Sequence, residues 1–482
     1  MRLIALCGLT MAIIHGTAYT QQPTPIATPA PAPDSGARIR GVAYERPAPS
    51  DVSERERILL ERIERLERRL SELESRLTLP SLTNTIAVPL ANIAVSAPQS
   101  TQTNQPSTPP PYAAWDKGGV KIIPYGILIA NLNYNSSALT PGSFAGFAFP
   151  DAPDGTAQFN ISPGNTYLGV DIKWPKIGEW EINGKVDFDL RGPTPLKINN
   201  VFAPLFINVY GEARTERYRI LAGQAPDIIS PIFSNSLNIY PAGFLPGRLG
   251  FFRPQVRFET YQPISDDFTF IFQGAVAEAI QTFQVGDEVI GTQAGLPDGQ
   301  IRLALGYGEP DLNDRYLRRP FELGVSGHIG KRRGTRLGVR VAEREFTTWS
   351  GDIDLSFRIG GKLRFDGEFF AGSVLGDYTG GIFQTFNPVR LVAIRAAGAW
   401  AQLTYDISDK WQVNGGYGRD DPYNRDLAPG QRSLNTMGFG NFYYKITPRL
   451  WAATELSRWK TTWVDLPTGK PFRIESAVLF FF

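Results

Sequence analysis

The last twelve residues, Pro471 to Phe482, read PFRIESAVLFFF and end the chain on a bare phenylalanine. Alternate positions from Phe472 through Ile474, Val478 and Phe480 to Phe482 are apolar, with Ser476 the exception, while Arg473 and Glu475 fall in the other register. That is a strand with one apolar face and, over its first half, one polar face. In water it would leave an apolar edge at the chain end, open to edge-to-edge pairing. In a bilayer the same strand can close a barrel, where every backbone group is paired.

Composition points the same way. No run of about 18 apolar residues follows the N-terminus, so helical spans are excluded and a closed barrel is the remaining way across a membrane. The mean hydropathy of −0.18 is what alternating lipid-facing and lumen-facing positions average to. The formal charge is +2, and from Gly118 onward 37 basic residues face 36 acidic ones, so net charge predicts no nucleic-acid partner. The only cysteine, Cys7, lies in Met1–Ala18, where one arginine, an apolar run and the small residues Gly16 and Ala18 read as a secretory signal peptide. The mature chain then has no thiol, and its histidine is His328. The terminal phenylalanine with alternate apolar residues before it looks like the closing strand of bacterial outer-membrane barrels.

Residues 1–20 are therefore read as signal, and 21–50, with seven prolines among Ala, Thr and Gln, as an extended linker. Across 51–79, Leu59, Ile63, Leu66, Leu70, Leu73 and Leu77 alternate spacings of four and three, the seam of a coiled coil. With Ile63, Leu70 and Leu77 at a and Leu66 and Leu73 at d, Arg62 and Arg69 sit at g, and Glu67 and Glu74 at the following e positions, complementary between parallel neighbours. The two hexads from Arg62 and Arg69 resemble the Arg-apolar-x-x-apolar-Glu motif of parallel three-stranded coils. About three heptads, some 35 Å at about 1.5 Å per residue, would reinforce a homotrimer rather than hold one alone. Residues 80–117, rich in Pro, Ser, Thr and Gln, read as a second tether into the periplasm.

Residues 118–482 predict an all-β, transmembrane antiparallel barrel of about sixteen strands. Seven hairpins are legible, from Tyr167–Trp174 with Trp180–Leu190 to Met437–Tyr444 with Leu450–Trp459; an opening strand near Leu128–Tyr134 and the closing strand complete the set. Gly330–Gly351 and Gly380–Ala396 leave room for additional strand residues. Trp174, Trp180, Tyr405, Trp411, Trp451 and Trp459 lie near strand ends, as girdle residues do. A sixteen-stranded barrel leaves a water-filled lumen.

Pro226–Pro254, the third long loop, carries Asp227, Arg248 and Arg253. Together with Leu221-Ala222-Gly223-Gln224, Pro231, Asn235, Leu237-Asn238, Gly250 and Phe252-Arg253-Pro254-Gln255-Val256-Arg257, it resembles the DcaP-like porins. The resemblance implies a trimer with a periplasmic coiled coil, a loop folded into the lumen, and uptake of small anionic, often dicarboxylate, solutes through a constriction containing arginines. Carried over by position, Asp227, Arg248, Arg253 and Arg257 are the candidate constriction. Alternation independently turns Arg257 and Glu259 to the lumen, since Val256 and Phe258 take the lipid register. The same test turns Arg302, His328, Arg358 and Arg364 inward, with Asp187, Asp189, Asp354, Asp366 and Glu368. Two arrangements remain open: arginines converging on a dehydrated neck, or solvated ladders of arginines with these acids.

The expected function is passive diffusion of small hydrophilic solutes across an outer membrane, with a preference for anions. A structural barrel tied to the cell wall by its stalk is the alternative. An enzyme is not expected: Ser326 and His328 sit two apart on one strand with no acid partner. No cofactor is expected, and Asp151 and Asp154-Gly155 fit no standard metal loop.

Overall fold

The computed structural model describes residues 115–482 apart from 142–144, 152–156, 193–201, 281–287, 291–294, 312–313, 315–317 and 336–342. The signal, linker and coiled-coil segments, including Arg62, Ile63, Leu66, Glu67, Arg69, Leu70, Leu73, Glu74 and Leu77, and the tether up to residue 114 lie outside the described residues, whereas Trp115–Lys117, read as the tether's end, form a short strand paired with Val120–Ile122.

Sixteen antiparallel strands follow one another around the barrel. They are β1 (Val120–Asn135), β2 in two segments (Gln158–Ser162 and Tyr167–Lys173), β3 (Glu181–Asp189), β4 (Leu205–Arg214), β5 (Tyr218–Pro226), β6 (Phe252–Pro263), β7 (Phe268–Ala277) and β8 (Asp298–Tyr307). β9 (Phe321–Thr335), β10 (Glu343–Ile359), β11 (Leu363–Ser373), β12 (Arg395–Asp406), β13 (Trp411–Pro422), β14 (Arg432–Thr447), β15 (Leu450–Trp463) and β16 (Phe472–Phe481) complete the circuit. Each strand pairs with its neighbours in sequence, and β16 pairs with β1 from Ile127↔Phe481 to Asn135↔Arg473, which closes the sheet. Among their described residues the stretches 330–351 and 380–396 add no extra wall strand: the first lengthens β9 and β10, and the second belongs to a loop folded inward up to 394, after which β12 begins.

Alternation decides which face each residue takes. In β8, Gln300, Arg302 and Ala304 are buried while Ile301, Leu303 and Leu305 are exposed on the outer face. In β16, Arg473 and Glu475 are buried, and Val478 and Phe480 are exposed. Such an apolar exterior is stable only in lipid. Trp174, Tyr405 and Trp411 are exposed, as girdle residues should be. Trp459 and Trp451 are not girdle residues. Trp459 is fully buried inside, packed among Met437, Trp400 and loop residues, and Trp451 turns inward against Phe481 at a ring distance of 4.6 Å.

The terminus is pinned by its backbone. The Gly126 and Phe482 amides exchange hydrogen bonds with each other's carbonyls (3.2 and 3.1 Å), and the Phe482 ring covers Gly126, where a Cβ would lie 2.6 Å from it. Replacing Gly126 by Leu is therefore expected to unseat the last residue and abolish the compact, heat-modifiable gel mobility of a closed barrel. Ala130→Leu, on the same outer face in open surroundings, should preserve it.

Mostly short turns, with the longer connection 308–320 between β8 and β9, join the strands at the end where both described termini of the barrel lie, and loops join them at the other. Among the described residues, three of these fold into the lumen: the described part of loop 1 (within 136–151), loop 3 (227–251) and loop 6 (374–394). Leu139 and Ala145 of loop 1 and Ile232, Phe244 and Leu245 of loop 3 form one apolar cluster with Trp400, Met437 and Trp459 of the wall. Ile229 and Leu249 of loop 3 meet Leu375 and Tyr378 of loop 6 over Phe370 and Ala396 in another. Loop 3 runs flush with the wall at Gly247 (φ +90), where any side chain would strike the backbone carbonyls of Ala399 and Arg419. The half of the lumen beside β11–β15 is thus filled like the core of a soluble protein, and among the described residues the two chambers left open lie along the opposite wall.

Candidate functional site: a neck along one wall of the lumen

Loop 3 is held across the lumen by wall carboxylates and amides. Glu368 on β11 accepts from the Ile232 amide (3.0 Å), the Ser230 hydroxyl and the Trp400 indole (2.6 Å). Glu455 on β15 accepts from the Ser236 hydroxyl (2.9 Å), the Leu237 amide (2.8 Å) and the Asn441 side chain (2.9 Å). Asn235 adds bonds to Gln402, Thr404 and Asn414. Backbone N–H groups in a lumen loop would otherwise be unpaired, and these wall side chains satisfy them.

The space left open has two chambers. One, of about 310 Å³, lies between loop 3 and the β1–β6 wall; its wall side carries Tyr125, Tyr167, Lys185, Tyr210, Arg219 and Arg257, and its loop side the apolar Pro231, Phe233, Pro241 and Ala242. The other, of about 550 Å³, lies toward the short turns and is lined by Asp171, Glu181, Glu212, Arg302 and Glu322 among others. Lys185, Tyr210, Arg219 and Gln273 on the wall and Pro231 on loop 3 line both chambers and mark the neck between them.

The charges at the neck are laddered. Lys185 pairs with Asp171 (2.9 Å) and donates to the Tyr125 hydroxyl (2.6 Å), which in turn donates to Asp187 (2.8 Å). Arg219 pairs with Glu212 (2.6 Å) and Glu259 (3.1 Å), and Arg257 with Glu259 (3.2 Å) and Gln255 (3.0 Å). Three cations here face four carboxylates, but access differs. The Lys185 and Arg219 side chains are 17% and 23% exposed, against 6% for Asp171, 0% for Asp187, 8% for Glu212 and 0% for Glu259. A solute can touch the cation heads, whereas the acids sit behind them.

The candidates from sequence divide between this neck and the scaffold. Arg257 lines the upper chamber, and Glu259 lies behind the neck as partner of both arginines. Arg248 is turned into its own loop, donating to the carbonyls of Ile232 (3.0 Å) and Ser230 (3.2 Å) and stacking on Phe233 (4.1 Å). Arg253 has no exposure: it lies between Asp227 (2.7 Å), Asp298 (3.3 Å) and Asp377 (3.3 Å) with its guanidinium 3.7 Å over Tyr378. Asp227 also accepts from the Phe251 amide (2.8 Å) and Gln300 (2.6 Å), closing the base of loop 3. Burial keeps the Tyr378 phenol well above its ordinary pKa, so it donates as a neutral hydroxyl to Asp298 (2.6 Å). Arg248 and Arg253 thus meet loop and wall partners instead of open space.

Arg302 lines the lower chamber, bound to Asp354 (2.6 Å) and Glu322 (2.8 Å). Arg364 is buried against Ser356 (2.8 Å) and the Arg319 carbonyl (3.1 Å), and Arg358 pairs with Asp311 (3.2 Å) near the turns. His328 is buried beneath Tyr378 (ring distance 3.9 Å) and bonds Ser350 (2.7 Å) and Thr348 (2.8 Å), not Ser326. Ser326 and His328 thus form no pair, and the serine that His328 does meet, Ser350, donates its hydroxyl to Asp352 (2.8 Å). Among the described residues no group of three or more His, Cys, Asp or Glu side chains is placed to hold a metal ion.

Lys185, Arg219 and the tyrosines of the neck were missed in the sequence. The signal was present: Lys185 shares its register with Asp187 and Asp189, both read as inward, and Arg219 alternates with Ile220 at the start of β5.

No family model and no curated protein matches the chain. Solved structures do. The chain is similar to the outer membrane channel DcaP of Acinetobacter baumannii, with a TM-score of 0.60 and 15% identity over 76% of this chain and 99% of that one. An outer-membrane expressed OmpT of Vibrio cholerae gives 0.47 and 12% over 77% and 100%, and an anion-selective porin from Comamonas acidovorans 0.49 and 10% over 75% and 100%. At 15% identity the likeness to the DcaP channel is one of fold, and the fold is the closed sixteen-stranded barrel.

Proposed function

We propose that the chain is an outer-membrane channel for passive diffusion of small hydrophilic solutes, with a preference for anions set at the neck by Lys185, Arg219 and Arg257. The observation that carries this reading is the neck between the two chambers, where the Lys185 and Arg219 heads are accessible while Asp171, Asp187, Glu212 and Glu259 are withdrawn; the lower chamber beyond it also carries the part-exposed Glu181 and Glu322. A cation–carboxylate contact at about 4 Å is worth roughly 1 kcal/mol in bulk water and roughly 4 kcal/mol at the lower effective dielectric of a protein surface. The preference is therefore graded, as suits a pore that must also release its solute. The apolar loop face opposite the cations favours solutes that pair a carboxylate with a hydrocarbon body.

The domain layout, with signal 1–20, linker 21–50, coiled coil 51–79, tether 80–117 and barrel 118–482, belongs to the same proposal. So do a homotrimer joined through Ile63, Leu66, Leu70, Leu73 and Leu77, and the absence of enzymatic chemistry. The infolding of loops 1, 3 and 6 favours a second reading, a plugged structural barrel anchored by its stalk.

Planar-bilayer recording under a salt gradient separates the two. The channel reading expects open steps and a reversal potential showing anion preference. In Lys185→Gln/Arg219→Gln that preference should fall by about half or more, with gel mobility unchanged. Current absent in both proteins would favour the plug, and a preference kept by the variant would move selectivity away from the neck.

A further inference from the structure

The outer face of β13–β15 breaks the girdle rule at one edge. Toward the short turns it is aromatic, with Trp411 and Tyr444 stacked at 4.4 Å. Toward the loops, the outward positions are Arg419 on β13 and Arg458 and Lys460 on β15, all exposed, while the tryptophan between those two, Trp459, is buried inside. Register aligns Arg419, Thr436 and Lys460 in one row across three strands, and Tyr417, Gly438 and Arg458 in the next. Arg419 and Lys460 are then about 10 Å apart at backbone level, and Arg458 and Lys460 about 7 Å.

From Leu450 to Arg458 the strand rises about 20 Å along the membrane normal at a tilt of about 40°, and Lys460 lies about 5 Å higher. That places the three cations at the outer edge of an apolar band about 25 Å tall, at headgroup level. Arg419 shares its charge with Asp421. Arg458 and Lys460 make no hydrogen bond or ion pair among the described residues. Below them, Gly438 and Gly440 leave a shallow trough on β14 between Tyr417 and Leu456, and a Cβ at Gly440 would meet nothing within 4 Å.

Unpaired cations at the edge of hydrocarbon are costly unless an anion meets them. We propose that this face is a binding site for a single outer-leaflet lipid whose headgroup carries phosphate monoesters. The phosphate is held between Arg458, Lys460 and Arg419 by charge-assisted hydrogen bonds, and one acyl chain lies in the Gly438–Gly440 trough. The proposal rests on the membrane placement given above and is independent of what passes through the lumen.

The test is native mass spectrometry of the purified full-length protein in neutral detergent, titrated with lipid A, dephosphorylated lipid A, phosphatidylglycerol or inorganic phosphate. Lipid A should bind wild type at least about tenfold more tightly than Arg458→Gln/Lys460→Gln, consistent with loss of two charge-assisted contacts. The dephosphorylated lipid should bind both proteins as weakly as lipid A binds the variant, and Arg458→Lys should retain most of the affinity. Equal binding by wild type and variant would overturn the site. Phosphatidylglycerol binding as tightly as lipid A, or phosphate alone displacing it fully at equimolar concentration, would overturn the assigned lipid. The variant should conduct as wild type does, so failure here is distinguishable from failure of the channel reading.

Discussion

Replacing Glu368 and Glu455 together by alanine is expected to raise the unitary conductance at least about twofold and to make the open current noisy, because loop 3 is released into a wide lumen. Each carboxylate accepts two donors from the loop and one from the wall. Hydrogen bonds to a charged group contribute about 1.5–3 kcal/mol each. Burial of the two carboxylates offsets much of that sum, so their net effect on barrel stability is small. Their effect on the loop is not small, because alanine removes the acceptors that hold the Ile232 and Leu237 amides to the wall. The remaining anchors at Asn235 keep the loop tethered without fixing its span. Glu368→Gln/Glu455→Gln retains a carbonyl acceptor at each place and should conduct within about twofold of wild type. An alanine pair with wild-type conductance would show that the apolar clusters alone hold loop 3.

The wall was legible in the sequence because a strand in lipid has period two and each hairpin announces its turn, as Gly360-Gly361 and Thr215-Glu216 do. Register follows from the same rule, which turns Arg257 and Glu259 away from lipid, and both are buried. Applied to β3 and β5, it would also have found Lys185 and Arg219. Parity alone could have corrected Trp459: it sits between Arg458 and Lys460, so either the tryptophan or both cations must face outward. The girdle expectation took the tryptophan's chemistry as decisive, but a lumen packed with loops offers indole an apolar site as good as the membrane interface. What period two cannot give is which loops enter the lumen and what they meet there. The partners of Arg253 are Asp298 on β8 and Asp377 in loop 6, 45 and 124 residues away, and no local pattern links them. Arg248 illustrates the same limit in miniature, since its acceptors are carbonyls of its own loop, which a sequence does not display.

Arg253→Ala is expected to act on stability and gating, and to leave ion preference untouched. The guanidinium is fully buried among three carboxylates, with Arg332 the second cation, bound to Asp298 at 2.6 Å and to Asp377. Removing Arg253 leaves three buried acids to one guanidinium, a defect that costs about 3–5 kcal/mol when a buried pair is broken from one side. Because the cluster joins the base of loop 3 (Asp227) to loop 6 (Asp377, Tyr378) and to β8, the loss should appear first as separation of the two loops: flickering current and a lower temperature for the gel-mobility transition. Arg253→Lys should be intermediate, since one ammonium cannot reproduce the planar fork that reaches several acids and stacks on Tyr378. The neck variant Lys185→Gln/Arg219→Gln should behave in the opposite way, shifting the reversal potential with little change in the transition, because glutamine keeps a donor for the carboxylates behind it and Glu259 keeps Arg257. If Arg253→Ala instead kept its transition temperature and lost anion preference, Arg253 would have to face the solute path. The division between scaffold arginines and neck cations would then fail.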